Sequence, residues 1–133
     1  LAHAGWRGTA AGMAQAMVER MGQEFGTRPE RLQVAIGPSI GKECFEVDEP
    51  VALEFQKLPQ AERFVTGPQR EKYHVDLWEC NRQFLLAAGV QPEHITVGQV
   101  CTMCESDLLF SHRKTRGQRG SNCAMLSLKE EVL

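Results

Sequence analysis

The chain has 133 residues, 42% of them hydrophobic and 24% charged, with a formal net charge of −2. That length fits one domain with a real core, and the near-neutral balance excludes a global basic field for nucleic acid or an anionic membrane. No apolar run reaches membrane-spanning length, and no signal-peptide pattern opens the sequence. The five cysteines, Cys44, Cys80, Cys101, Cys104 and Cys123, are odd in number and irregular in spacing. They point to reduced thiols in a cytoplasmic setting rather than to a disulfide framework.

The chain opens on Leu1-Ala2, which reads as the end of a strand, and runs at once into "HAGWRG", residues 3–8. We therefore expect residues 1–133 to be a single unit that forms the C-terminal part of a larger domain. A trimmed start with nothing essential missing is the plainer alternative.

Apolar residues Met13, Met17, Met21 and Phe25 then recur at helical spacing, predicting a helix over 9–25 with Thr9 as N-cap and Gly26 as C-cap. A strand follows at 32–36, then a Gly/Pro turn at 37–41. A second helix is expected over 48–58, with Pro50 in its first turn. Residues 59–72 read as a polar loop and 73–75 as a short extended piece. Residues 76–89 carry the clearest helix, with an Asp76/Glu79 capping box and a closing Gly89. A strand is expected at 94–100, a long polar segment at 101–120 and a final apolar strand at 122–128. This loose alternation suggests an α+β fold of mixed layers, a mixed sheet with flanking helices, rather than a doubly wound parallel sheet.

Four stretches could carry chemistry. In "HAGWRG", Gly5 and Gly8 permit a tight turn and close ligand approach. The following helix start is an anion site, and Arg7 beside it can grip a phosphate or carboxylate. His3 can ligate a metal or act as acid or base. Spacing alone does not separate this from a plain corner with a buried Trp6 and a surface Arg7. The loop in "AIGPSIGKECFEV", which begins at Gly37, can present backbone N–H groups or simply turn a corner, and Cys44 within it reads as core rather than nucleophile. The "CTMC" pair, Cys101 and Cys104, lacks the second pair of a zinc ribbon and the helix-opening position of a thioredoxin-like motif, so structural zinc and redox chemistry are its lesser readings. "FSHRKTRGQRG" gathers Arg113, Lys114, Arg116 and Arg119 as a phosphate clamp, a nucleic-acid patch or a solvated hairpin loop, and the chain's acidic balance weighs against the nucleic-acid reading. His74 and His94 read as surface or capping residues, whereas His112 lies within the Ser-His-Arg cluster.

Taken in order, "HAGWRG", "IGPSIGKECFEV", "VDLWECNRQFLLAAGV" and "CTMC…LFSHRKTRGQRG" resemble the YfiH-type family, also called laccase-domain or polyphenol-oxidase-like, from His3 to about Leu128. The resemblance implies the α+β fold shared with the cytotoxic necrotizing factor deamidases. It implies a zinc-dependent purine nucleoside enzyme that phosphorolyses adenosine, inosine and methylthioadenosine and deaminates adenosine. Its substrates are then purine nucleosides and phosphate. It implies His3 as a ligand of Zn2+, with a second histidine and a cysteine contributed in the family by segments ahead of this motif. None of the five cysteines here matches that ligand. His3 and Arg7 are the catalytic candidates, and Trp6, Gly37, Ser111 and Arg113 the substrate-binding ones. Gly120-Ser121 stands where the family commonly has Gly-Arg, which shifts that contact to Arg119 or removes it.

Other readings are a copper-dependent, laccase-like phenol oxidase, a peptidoglycan-precursor editing factor, or a catalytically incomplete fragment. Four isolated histidines without H-x-H pairs argue against an intrinsic copper cluster. The fragment reading expects an exposed apolar face, and with it association with an N-terminal half or a homo-oligomer.

Overall fold

The computed structural model describes residues 1–130. Helices and sheets are mixed, as expected, and the strands divide between two small sheets. In one, β1 (Val34–Ile36) pairs in parallel with β5 (Ile95–Val97). In the other, β2 (Glu46–Val47), β4 (Lys72–Val75) and β3 (Val65–Gln69) lie antiparallel in the order β2-β4-β3. Around them pack α1 (Trp6–Ala10), α2 (Met13–Phe25), α3 (Glu49–Gln56), α4 (Leu77–Ala87) and the single turn α5 (His112–Thr115).

The helix expected over 9–25 is broken in two. Gly12 takes a left-handed φ of +81°, and a Cβ there would meet the Phe84 ring at 3.4 Å. Thr9 is consequently not an N-cap but a buried residue inside α1, and its hydroxyl donates to the Ala4 carbonyl at 3.2 Å. Gly5 caps α1 with backbone alone. At the other end, Gly26 closes α2 at φ +65°, as expected.

The segment 59–72 is not a loop throughout. It holds a 3-10 turn, Ala61–Arg63, and the edge strand β3. Gly67 and Pro68 disguise β3, because such residues are confined to strand edges and irregular positions. Its hairpin turns through Arg70 and Glu71, at φ of +48° and +64°, without the Asn-Gly signal that announces such turns.

Helix α4 forms as read. The Asp76 carboxylate accepts the Glu79 N–H at 2.9 Å. The reciprocal half of the box is absent: the Asp76 N–H donates to the Phe64 carbonyl at 2.7 Å, and Glu79 accepts from Gln83 instead. Residues 122–128, expected as a strand, are neither strand nor helix, and Met125, Leu126 and Leu128 stand exposed. An extended apolar segment becomes a strand only beside a partner edge that takes its backbone hydrogen bonds, and none among the described residues reaches it.

The larger core joins α3, α4 and the antiparallel sheet around Phe55, Phe64, Val75 and Cys80, all essentially inaccessible to solvent. A smaller one seats α2 against α4 and the parallel pair through Val18, Leu85 and Val90. Phe55→Ala is expected to destabilise the protein by about 3–5 kcal/mol, transfer and cavity costs together. Asp76→Ala is expected to cost about 1 kcal/mol for the lost cap. Urea denaturation checks both, and equal losses for the two variants would contradict this division of the core.

Candidate functional site

The "HAGWRG" corner is held from below. Thr9 Oγ1 accepts from Asn81 Nδ2 at 3.2 Å, while the same amide group donates to the Leu77 carbonyl at 2.8 Å. The corner is thus pinned to α4. Neither glycine of the motif is left-handed: Gly5 sits at φ −64°. Their use is proximity. A Cβ on Gly5 would stand 3.4 Å from His3 Nε2, and one on Gly8 would stand 3.8 to 3.9 Å from Met13 and the His3 carbonyl. Because α1 is only 5 residues long, its dipole is that of a single turn, weaker than the long helix expected from the periodicity. The fixed positive charge of this corner is the Arg7 guanidinium.

Trp6 is half-buried against the larger core and walls two neighbouring depressions. On one side lies an open cleft of about 340 Å³, at the lower end of the range for small-molecule sites. Phe45, Glu46, Asp48, Lys72 and Arg113 share its lining. On the other side a shallower depression is lined by Trp6, Arg7 and Glu54. The Arg7 guanidinium lies 4.4 Å from the Trp6 ring centroid. That of Arg113 lies 5.4 Å from the Phe45 ring, and its Nη1 donates to the Glu46 carbonyl at 2.8 Å. Both arginines are thereby oriented without being neutralised by a carboxylate among the described residues. Lys72 is bound to Asp48, which raises its pKa and takes up its charge.

The structure thus sets Trp6 between two depressions, with Arg113 on the wall of one and Arg7 on the wall of the other. Ser111 is buried, and its Oγ accepts the Lys114 N–H at 3.2 Å, capping α5. It positions Arg113 and does not face the cleft. Gly37 is exposed and lines neither depression. His3 is exposed, and among the described residues it belongs to no group of three or more histidine, cysteine or carboxylate ligands. The described residues therefore do not complete a three-ligand zinc site at His3. Nor do His3, His74, His94 and His112 assemble a copper cluster among the described residues. Phe45, Lys72 and the Glu46 carbonyl escaped the sequence reading, since no local spacing links residues 45–48 to residue 113.

Cys44, read as core, lies instead beside the "CTMC" turn. The sulfurs of Cys44, Cys101 and Cys104 all fall within 4.8 Å of one another. Cys44 Sγ stands 3.6 Å from Cys104 Sγ, and Cys101 Sγ accepts the Gly41 N–H at 3.2 Å. Burial pushes the Cys101 thiol up, but hydrogen bonds from the backbone of Gly41, Cys104 and Met103 outweigh it and bring it down to about 7. Its contact with Cys104, followed by burial, pushes Cys44 up to about 11. Burial pushes Cys80 up to about 12.

The family model for "multi-copper polyphenol oxidoreductase laccase" matches residues 1–129. The chain is 44% identical over 135 residues to a protein named purine nucleoside phosphorylase YlmD from Geobacillus stearothermophilus, covering 98% of this chain and 48% of that protein. It is 41% identical over 116 residues to adenosine deaminase RL5 from an unknown prokaryotic organism, covering 86% and 44%. The crystal structure of YfiH from Bacillus licheniformis superposes with a TM-score of 0.83 at 40% identity, over 88% of this chain and 45% of that one. The chain belongs to the laccase-domain family, in agreement with its motifs. It spans about half the length of the curated relatives it matches.

Thiolate rather than thiol attacks an alkylating agent, so reactivity follows these shifts. In metal-free, reduced protein, iodoacetamide labelling of Cys101 is expected to rise with an apparent midpoint near pH 7, whereas Cys44 lags until pH approaches 11. Peptide mass spectrometry across pH checks this, and Cys44 labelling ahead of Cys101 would contradict it.

Proposed function

We propose that this chain carries the phosphate- and purine-binding part of a zinc-dependent purine nucleoside enzyme. The reactions are phosphorolysis of adenosine, inosine and methylthioadenosine, together with deamination of adenosine. The observation that carries this reading is that Trp6 walls an open cleft with Arg113 and an adjoining depression with Arg7. The names of the relatives YlmD and RL5 support the substrate class.

An indole offers a purine base a flat apolar face. The guanidinium groups of Arg7 and Arg113 offer phosphate the bidentate donors that a planar fork supplies best. Held there, a phosphate oxygen forms a bond to C1′ of the ribose as the C1′–N9 bond breaks. The positive charge developing on the sugar faces the bound anion, which stabilises it. The base leaves with the electrons of that bond and takes up a proton.

His3 is the proposed Zn2+ ligand of this chain; the resemblance implies a second histidine and a cysteine as its partners, which in the family stand ahead of the "HAGWRG" motif. Zinc, when bound, supplies Lewis acidity. Nothing in the four histidines favours the copper-dependent phenol oxidase. A catalytically incomplete fragment remains the second reading, favoured by the lone His3 and by the exposed apolar run Met125, Leu126 and Leu128. That run is the proposed surface for association with a complementary half or a second copy.

The test is release of base from inosine and adenosine with and without phosphate. Arg113→Ala is expected to lower kcat/KM for phosphorolysis by about 10- to 100-fold, the worth of a charge-assisted hydrogen bond. Arg113→Lys is expected to restore little of it, because an ammonium cannot reproduce the fork. Phosphate-independent base release, or an Arg113→Ala variant at full activity, would overturn the assignment.

A further inference from the structure

Outside the cleft, the group of potential metal ligands that the described residues bring together is the trio of sulfurs from Cys44, Cys101 and Cys104. We propose that these cysteines form a thiolate site for a thiophilic d10 cation, with Zn2+ as the ion to test. This site is separate from the one proposed at His3 and stands whether or not the nucleoside reading does.

Three features distinguish it from chance proximity. The first is spacing. Two thiolates bound to one zinc at about 2.3 Å, at a tetrahedral angle, stand about 3.8 Å apart. Cys44 and Cys104 are already 3.6 Å apart, and all three sulfurs lie within 4.8 Å of one another. The second is the supporting shell. The Gly41 N–H points at Cys101 Sγ, as outer-shell donors point at metal-bound thiolates. A Cβ at Gly41 would stand 3.4 Å from Cys101 Cβ, 3.6 Å from its sulfur and 3.3 Å from the Trp78 ring, so a side chain there would crowd the site. The third is rigidity. The two loops that carry the cysteines are bridged in parallel at Ser39 and Cys101. Ser39 N–H donates to the Val100 carbonyl and Thr102 N–H to the Ser39 carbonyl, each at 3.1 Å. Trp78 Nε1 locks the joint by donating to Ser39 Oγ at 2.6 Å.

Cys44 and Cys101 are half-buried and Cys104 is exposed, so the trio opens to solvent on one side. Three sulfurs fill three corners of a tetrahedron and leave the fourth for a water or an exchangeable ligand. Binding displaces the thiol protons to solvent, with no change of oxidation state.

The test is a titration of the reduced protein with Co2+ under anaerobic conditions, followed by displacement with Zn2+. One equivalent of Co2+ is expected to produce thiolate-to-cobalt charge transfer with the visible bands of a tetrahedral site, and Zn2+ is expected to bleach both. Cys44→Ser, Cys101→Ser and Cys104→Ser should each weaken Zn2+ binding by more than about 100-fold, beyond the usual outer-shell effect. Cys123→Ser and His3→Ala should leave the charge-transfer bands in place. In wild-type protein, Zn2+ should protect Cys44, Cys101 and Cys104 from alkylation while Cys123 still reacts, a readout that needs no variant to fold. The proposal is overturned if no charge transfer appears, if it survives all three serine variants, or if Zn2+ leaves the three cysteines unprotected. A reduced protein that takes no metal but forms a Cys44–Cys104 disulfide in air overturns it as well.

Discussion

One helix organises everything that matters here, and it does so through two side-chain hydrogen bonds. Asn81, buried on α4, donates to Thr9 and so pins the corner that carries His3, Trp6 and Arg7. Less than one turn earlier on the same helix, Trp78 donates to Ser39 and pins the loop that meets the "CTMC" turn. A buried donor or acceptor left without its partner costs about 1–3 kcal/mol, which makes such joints discriminating. The Asp76 cap fixes where α4 begins, and its own N–H ties the cap residue to Phe64 in the larger core. Helix, corner and loop are therefore one mechanical unit.

Each of the two clusters is made from distant parts of the chain. Arg113 reaches back to the Glu46 carbonyl and the Phe45 ring, which places its guanidinium on the wall of the cleft. Cys44 sits one residue before Phe45, so the same short run serves the cleft with its aromatic ring and the sulfur trio with its thiol. Phe45 is itself almost fully buried, and it couples both places to the core. The two sites are chemically different. One is an open cleft with the unneutralised Arg113 guanidinium and an indole on its walls. The other is a rigid pocket of soft donors.

Much of this was legible in the sequence, because strong local signals decide local structure. The Asp76/Glu79 cap, the Gly26 stop and the apolar periodicity of residues 77–88 gave α4 and the end of α2 directly. Trp6, Arg7 and Arg113 were legible as chemistry, though not as neighbours. The misses share a cause. The break at Gly12 uses that glycine's left-handed backbone, which the helical periodicity of residues 9–25 does not announce. Strand β3 carries Gly67 and Pro68, and its existence depends on β4 beside it. The 122–128 segment has a strand's composition without a strand's partner among the described residues. Cys44 looked like a lone core cysteine because its partners lie far along the chain. Thr9 looked like a cap because a Thr before an apolar run usually is one, and here tertiary packing buried it instead.

The central claim is that Trp6 and Arg113 face one bound nucleoside and phosphate. The most direct measurement is a crystal structure of the protein grown with inosine and phosphate. The account expects the purine stacked against the Trp6 indole and the phosphate within hydrogen-bond distance of the Arg113 or Arg7 guanidinium. A ligand bound elsewhere, with the cleft between Trp6 and Arg113 filled only by solvent, would contradict it.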